Sequence, residues 1–171
     1  MNSNADTHPP ILVIGIGNED RGDDAAGLIA VRHLEAQTLP GVVTVEARGD
    51  AVDLMERWAD PGIQTVYLID AMRSDTTPGT IQRFDAGKAP LPALHIEGLT
   101  HSFGPVEAVE LARALGMLPP RLILYAIEGA RYDNNVPPSP AVRRAAQQVA
   151  ECIRGECLAL QPEALASTTR R

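Results

Sequence analysis

The segment that decides the fold is ILVIGIGNEDRGDDAAG, residues 11–27. It opens with Ile11–Ile16, a continuous apolar run rich in β-branched side chains, which is typical of a buried strand in a parallel sheet. A glycine-containing loop follows, and from Asp24 the apolar residues Leu28 and Val31 recur at helical spacing. A buried strand that leads through a loop into an amphipathic helix predicts an α/β fold.

The strand pattern recurs further along the chain. Apolar runs at Val42–Val45, Val66–Ile69 and Leu122–Ile127 predict three more interior parallel strands. Thr80–Phe84 instead alternates between apolar and polar residues after the turn signal at 77–79. This alternation predicts a half-exposed edge strand, for which an antiparallel direction fits.

Four helical patterns separate these strands, and they run from Asp24 to about Gln37, from Ala51 to Ala59, from Pro105 to Leu115, and onward from Ser139-Pro140. In the second helix, Val52, Met55 and Trp58 or Ala59 share an apolar face. The alternation of strands and helices predicts an open, mostly parallel twisted sheet of about five strands with helices on both faces, a three-layer αβα arrangement.

The chain has 171 residues, of which 44% are hydrophobic, and this length suits one sizeable core. We expect a flexible tail at 1–10, a single α/β domain at 11–160, and a second flexible tail at 161–171. The two cysteines, Cys152 and Cys157, lie five residues apart on a predicted helix, about 140° around its axis. That angle is poor for a disulfide or a shared metal ion, so we expect both thiols to be reduced.

Charge and composition exclude several classes of protein. Fifteen basic residues against 22 acidic ones give a net charge of −7, which disfavours a nucleic-acid partner. No apolar run approaches the roughly 20 residues of a membrane span. The N-terminal residues lack the pattern of a secretory signal, and we therefore expect a cytoplasmic protein.

The loop after the first strand also argues against a dinucleotide site. It starts like the glycine fingerprint of such sites, but Asp20 stands where the third glycine should fall. The helix then opens with Asp23 and Asp24, whose negative charge would repel a pyrophosphate. The alternative interpretation of these two aspartates is that they cap the helix.

Three polar side chains are expected at the carboxyl edge of the sheet, where ligands bind in open α/β folds. Asp24 follows the first strand, Asp70 ends the strand at Val66–Ile69, and His101 lies in a polar loop before a helix. Two carboxylates and an imidazole can form a three-ligand site for a divalent ion. Two alternatives stay open: Asp70 caps the following turn through Ser74 or nearby amides, and His101 is a surface or core histidine.

These residues resemble the hydrogenase maturation endopeptidases. Gly15-x-Gly17-Asn18, followed after four residues by Asp23-Asp24 and then Gly27, resembles the N-terminal signature of that family. Leu68-Ile69-Asp70-Ala71 resembles its second ligand segment, and His101-Ser102-Phe103-Gly104 its third. The similarity extends to Glu128 and the Ser139-Pro140 helix start. This chain departs from the family pattern in having Ala25 and Asp50, where many relatives have a glycine and a small hydroxyl residue.

The resemblance implies an aspartic-type endopeptidase that removes the C-terminal extension from the nickel-loaded precursor of a nickel-iron hydrogenase large subunit. Nickel would arrive with the precursor and be contacted by Asp24, Asp70 and His101, with no metal tightly bound at rest. Asp24 or Asp70 would also act as the catalytic carboxylate. The expected partner is the precursor, without nucleic acid or membrane, and a monomer suffices. The alternative is a non-catalytic metal-sensing docking or chaperone-like module.

Overall fold

The computed structural model describes residues 10–92 and 104–161. Its elements are, in chain order, β1 (Ile11–Ile16), a 3-10 turn (Gly22–Ala25), α1 (Ala26–Glu35), β2 (Val42–Ala47), α2 (Ala51–Trp58), β3 (Thr65–Met72), β4 (Ile81–Asp85), α3 (Pro105–Ala114), β5 (Arg121–Glu128) and α4 (Pro140–Leu160).

The five strands form one sheet in the order β2-β1-β3-β5-β4. Strands β1, β2, β3 and β5 are parallel, and β4 pairs antiparallel with β5 at the edge. The predicted open α/β sheet and its antiparallel edge strand are therefore confirmed. Since β1 has β2 on one side and β3 on the other, the strand order reverses between β1 and β3, which is where an open α/β sheet places its ligand site.

A separate apolar core covers each face of the sheet. Successive side chains of β1 alternate between them: Ile11 and Val13 join the core under α1 and α4, while Leu12 and Ile14 join the core under α2 and α3. The side chains of β3 are buried throughout its length, as in a sheet covered by helices on both faces.

Two helices differ from their predicted form. α1 begins at Ala26 rather than at Asp24, because the preceding residues form a separate 3-10 turn. In α2 the predicted apolar face was wrong at Val52, which is 63% exposed, while Leu54 is fully buried. The buried stripe is formed by Ala51, Leu54 and Trp58, because helical spacing brings these side chains together toward the sheet.

Cys152 is exposed and Cys157 is buried, and both are free thiols. Among the residues that the structure describes, no helix is long and apolar enough to cross a membrane.

Candidate functional site

Asp24 and Asp70 meet at the boundary between β1 and β3. Asp24 belongs to the 3-10 turn that follows β1, and Asp70 lies in the carboxyl-terminal half of β3, opposite Ala126 of β5. Both are buried, with 4% of Asp24 and 1% of Asp70 exposed. The structure thus brings two of the three predicted site residues to the point where the strand order reverses.

The surroundings of Asp70 are unusual for a carboxylate. Its Oδ1 accepts a hydrogen bond from the N–H of Ala71 at 2.8 Å, whereas its Oδ2 is buried and has no hydrogen-bond partner among the described residues. Burial, together with the nearby charge of Asp24, raises the pKa of Asp70 well above its usual range. A buried oxygen without a partner is costly, so this position suits a bound cation or an additional hydrogen-bond donor.

Close packing at two glycines brings these acids together. A Cβ atom at Gly27 would overlap the carbonyl oxygens of Ile16 and Ile69, so only glycine lets the start of α1 lie against the ends of β1 and β3. A Cβ atom at Gly17 would overlap the carbonyl oxygen of Asp24. These two glycines of the predicted signature therefore matter because they have no side chain, which allows the backbone segments around the acid pair to pack closely.

Asp23, the neighbour of Asp24, has a different role. Its carboxylate is fully buried and accepts hydrogen bonds from the N–H groups of Ala130, Arg131 and Ser139, at 2.9, 3.0 and 2.6 Å. Burial by itself would raise the pKa of Asp23, but these donors outweigh burial and lower the pKa. Asp23 therefore holds the β5–α4 loop against the turn that carries Asp24.

The capping interpretation is wrong for Asp23. The N-cap position of the 3-10 turn is Arg21 and that of α1 is Ala25, and neither makes a side-chain cap. Asp23 instead bonds to a loop more than 100 residues away in sequence. Such a partner leaves no local pattern, so the sequence gives no sign of it.

A third acid, Glu128, makes the contact with Ser74 that was considered for Asp70. The carboxylate of Glu128 accepts hydrogen bonds from the N–H of Ser74 at 2.9 Å and from its hydroxyl group at 2.7 Å. The hydroxyl group of Tyr132 donates to the carbonyl oxygen of Met72 at 2.7 Å, and the guanidinium of Arg73 lies 4.7 Å from the centre of the Tyr132 ring. These contacts attach the loop after β3 to the end of β5 and leave Asp70 available to the site.

His101, the third predicted site residue, lies outside the described residues. Within the described ranges, no group of three or more His, Cys, Asp and Glu side chains is arranged to hold a metal ion. Asp24 and Asp70 offer hard oxygen donors, and one imidazole would complete a set suited to a borderline divalent metal. The assignment of His101 as a ligand stays a prediction.

A cavity of about 410 Å³ lies between the ends of β1 and β2. It is lined by the loop 17–20, by Leu28 of α1, and by residues 46–48. The side chain of Arg32 joins its two sides, because its guanidinium contacts both Glu46 and Glu19 at 2.6 Å. The hydrogen bond from Arg32 lowers the pKa of Glu46 and keeps it ionised. The cavity is linked to the turn of Asp24 through Asn18, one of its lining residues, whose N–H donates to the carbonyl oxygen of Asp24 at 3.3 Å.

Comparisons with known proteins identify relatives of this chain. Residues 30–156 match the family described as HycI, hydrogenase maturation protease, a range that includes Asp70 and His101 and begins after Asp24. A Methanocaldococcus jannaschii protein provisionally named a hydrogenase maturation protease is 33% identical over 81 residues, which cover 47% of this chain and 53% of that protein. The hydrogenase expression/formation protein HupD of Thiocapsa roseopersicina is 27% identical over 128 residues, covering 74% of this chain and 57% of HupD.

The match therefore spans little more than half the length of either relative. Among solved structures, the crystal structure of a nickel-iron hydrogenase maturation protease, HycI from Thermococcus kodakarensis, superimposes with a TM-score of 0.64 at 23% identity. The superposition covers 88% of this chain and 92% of that one, and it shows that the two share the same fold.

Proposed function

This chain belongs to the hydrogenase maturation protease family, and from that premise we propose that it removes the C-terminal extension from the nickel-loaded precursor of a nickel-iron hydrogenase large subunit. The observation that carries the proposal is the buried pair of Asp24 and Asp70 at the point where the strand order reverses, with an Asp70 oxygen that has no hydrogen-bond partner among the described residues. One class of peptide hydrolases activates the attacking water with a carboxylate or a metal ion, and this position suits either.

In this proposal nickel is part of the substrate. Asp24, Asp70 and His101 would contact the nickel of the precursor, and the contact would place the scissile bond beside the two carboxylates. One of them would accept the proton of the attacking water. Since two carboxylates and one imidazole include few of the donors that bind nickel tightly, the product could leave with its metal.

The proposed partner and location follow from the same chemistry. The partner is the folded precursor, and we assign the reaction to the cytoplasm, where the exposed thiol of Cys152 would stay reduced. A monomer contains all three proposed ligands.

The test is a cleavage assay with nickel-loaded and nickel-free forms of the precursor from the same cell, read as the mass of its C-terminal tail. We expect loss of the tail from the loaded form alone, and loss of activity in Asp24→Asn, Asp70→Asn and His101→Ala. Glu56→Gln is the matched control, because Glu56 is exposed on α2 and changes charge in the same way. Binding of loaded precursor without cleavage would instead support a docking module.

A further inference from the structure

The outer edge of β2 is an unpaired strand edge. β2 is the last strand in the sheet order, and no described strand pairs with its far side. The N–H groups of Ile11 and Gly17 donate to the carbonyl oxygens of Gly41 and Ala47, so the odd-numbered residues of this segment direct their backbone groups toward β1. Backbone direction alternates along a strand, and the amides of Thr44 and Glu46 therefore face outward.

Two cavities follow this edge on the α1 side of the sheet. Val42 and Thr44 border a cavity of about 290 Å³, and its other lining residues are Leu34, Glu35, Thr38 and Leu39. Two residues further along, Glu46 borders the cavity of about 410 Å³ at the end of the strand. Because side chains at alternate positions of a strand share a face, an added strand would direct every second side chain toward these cavities.

The edge also leads to the acid pair. β2 runs about 17 Å from Val42 to Ala47 at the usual rise per residue, and its carboxyl end opens into the larger cavity. The far wall of that cavity is the loop 17–20, which is bonded to the carbonyl oxygen of Asp24 through Asn18. A peptide lying along β2 would therefore continue across the ends of β2 and β1 to Asp24 and Asp70.

We propose that the C-terminal extension of the precursor binds as an added β-strand on the outer edge of β2, with one of its side chains in the cavity of about 290 Å³ that Val42 and Thr44 border. In this mode main-chain hydrogen bonds supply affinity, and pockets for alternate side chains supply specificity. The inference rests on the proposed function, which identifies the occupant as the tail that the enzyme removes.

The test compares Thr44→Pro with Thr44→Ala. Proline at position 44 removes an outward N–H group that β1 does not use, and proline is tolerated at strand edges. We expect Thr44→Pro to raise KM for tail removal about fivefold to tenfold with little change in kcat, since one main-chain hydrogen bond is lost. Thr44→Ala keeps the amide and changes only the side chain, so the ratio of the KM values of the two variants isolates the contribution of the lost amide.

A second arm uses a labelled synthetic peptide that covers the precursor's extension, and it reads binding by fluorescence anisotropy. Methylation of single peptide amides should weaken binding at every second residue, because only alternate amides of an added strand face β2. This arm applies to the wild-type protein and decides the question even if Thr44→Pro does not fold.

The outcomes separate the two proposals. A wild-type protein that never shortens the loaded precursor contradicts the proposed function. If the wild-type protein does shorten the precursor, equal KM values for Thr44→Pro and Thr44→Ala would overturn the added strand. Binding of the methylated peptides that is not weakened at every second residue would overturn it as well. A large fall in melting temperature for Thr44→Pro with unchanged peptide affinity would also overturn it, since another segment of this chain would then occupy the edge.

Discussion

Asp23 and Asp24 are adjacent in sequence, yet their carboxylates are used in opposite ways. Asp23 is surrounded by three N–H donors, which lower its pKa, whereas Asp24 lies beside another buried acid. In a 3-10 turn neighbouring side chains point about 120° apart. One can therefore fasten the β5–α4 loop while the next faces the candidate site.

We predict that Asp23→Asn will destabilise the fold. Three backbone N–H groups donate to the two carboxylate oxygens of Asp23. An asparagine has only one acceptor oxygen there, and its NH₂ group would face N–H donors instead of an acceptor. The expected loss in the free energy of unfolding is about 2 to 4 kcal/mol, as for a buried hydrogen-bonded charge. Urea denaturation measures it, with the exposed Asp133→Asn as control. A loss equal to that of the control would show that the three bonds contribute little.

We predict the reverse for Asp70→Asn. The raised pKa of Asp70 means that the unfolded chain releases this proton at a lower pH than the folded protein does. Ionisation therefore favours unfolding above the ordinary pKa of an aspartate, and the substitution removes this effect. Without metal, the free energy of unfolding of Asp70→Asn should exceed that of the wild type by about 1 to 3 kcal/mol near neutral pH. The same variant should lose the proposed processing activity. Thermal unfolding from pH 4 to 8 tests this, because the gain must increase with pH.

At the scale of elements, the strands were predicted well because a buried parallel strand leaves a continuous apolar run, as in Ile11–Ile16. The apolar face of α2 was missed because two stripes of similar apolar content compete on a short helix, and packing against the sheet selects the one with Leu54. Asp24 and Asp70 could be predicted because one lies in the connection that follows β1 and the other near the carboxyl end of β3. The loop contacts of Asp23 and Glu128 could not, because their partners lie 54 to 116 residues away.

The junction of α1 with the sheet supports a further prediction. Gly27→Ala should destabilise the protein by roughly 3 kcal/mol or more, because a Cβ atom there would overlap two backbone carbonyl groups. Gly155→Ala in α4 is the matched control, since nothing lies within 4 Å of its Cβ position. That control should be neutral or stabilising by up to about 1 kcal/mol. Equal denaturation midpoints for the two variants would show that α1 can move away from the sheet.

At the scale of the whole molecule, Glu156 of α4 connects three strands. Its carboxylate accepts hydrogen bonds from Tyr67 of β3 at 3.0 Å, from Arg83 of β4 at 2.9 and 3.0 Å, and from Arg121 of β5 at 2.8 Å. The hydroxyl group of Tyr125 donates to it as well. The cluster lies away from the acid pair and ties the last helix across the sheet.

This cluster predicts a dependence of stability on pH. Burial would raise the pKa of Glu156, but bonds from Arg83, Tyr125 and Tyr67 lower it to about 2. The stabilisation is therefore complete above the ordinary pKa of a glutamate, near 4.5, and is lost as the pH falls toward 2. The free energy of unfolding of Glu156→Gln should be about 1 to 3 kcal/mol below that of the wild type at pH 7, and the difference should be smaller at pH 3. Denaturation at both pH values tests this, and a pH-independent difference would contradict it.

The bonds from Asp23 to Ala130, Arg131 and Ser139 also bear on the order of events during folding. They join residues separated by more than 100 positions, and contacts of such sequence separation form late because a long loop must first be closed. During synthesis, the turn that carries Asp24 leaves the ribosome well before its anchoring loop. A nascent chain would therefore contain both acids before the loop that fixes the turn of Asp24 has been synthesised. Under the proposed function, it could hydrolyse its substrate only after the last quarter of the sequence had been made.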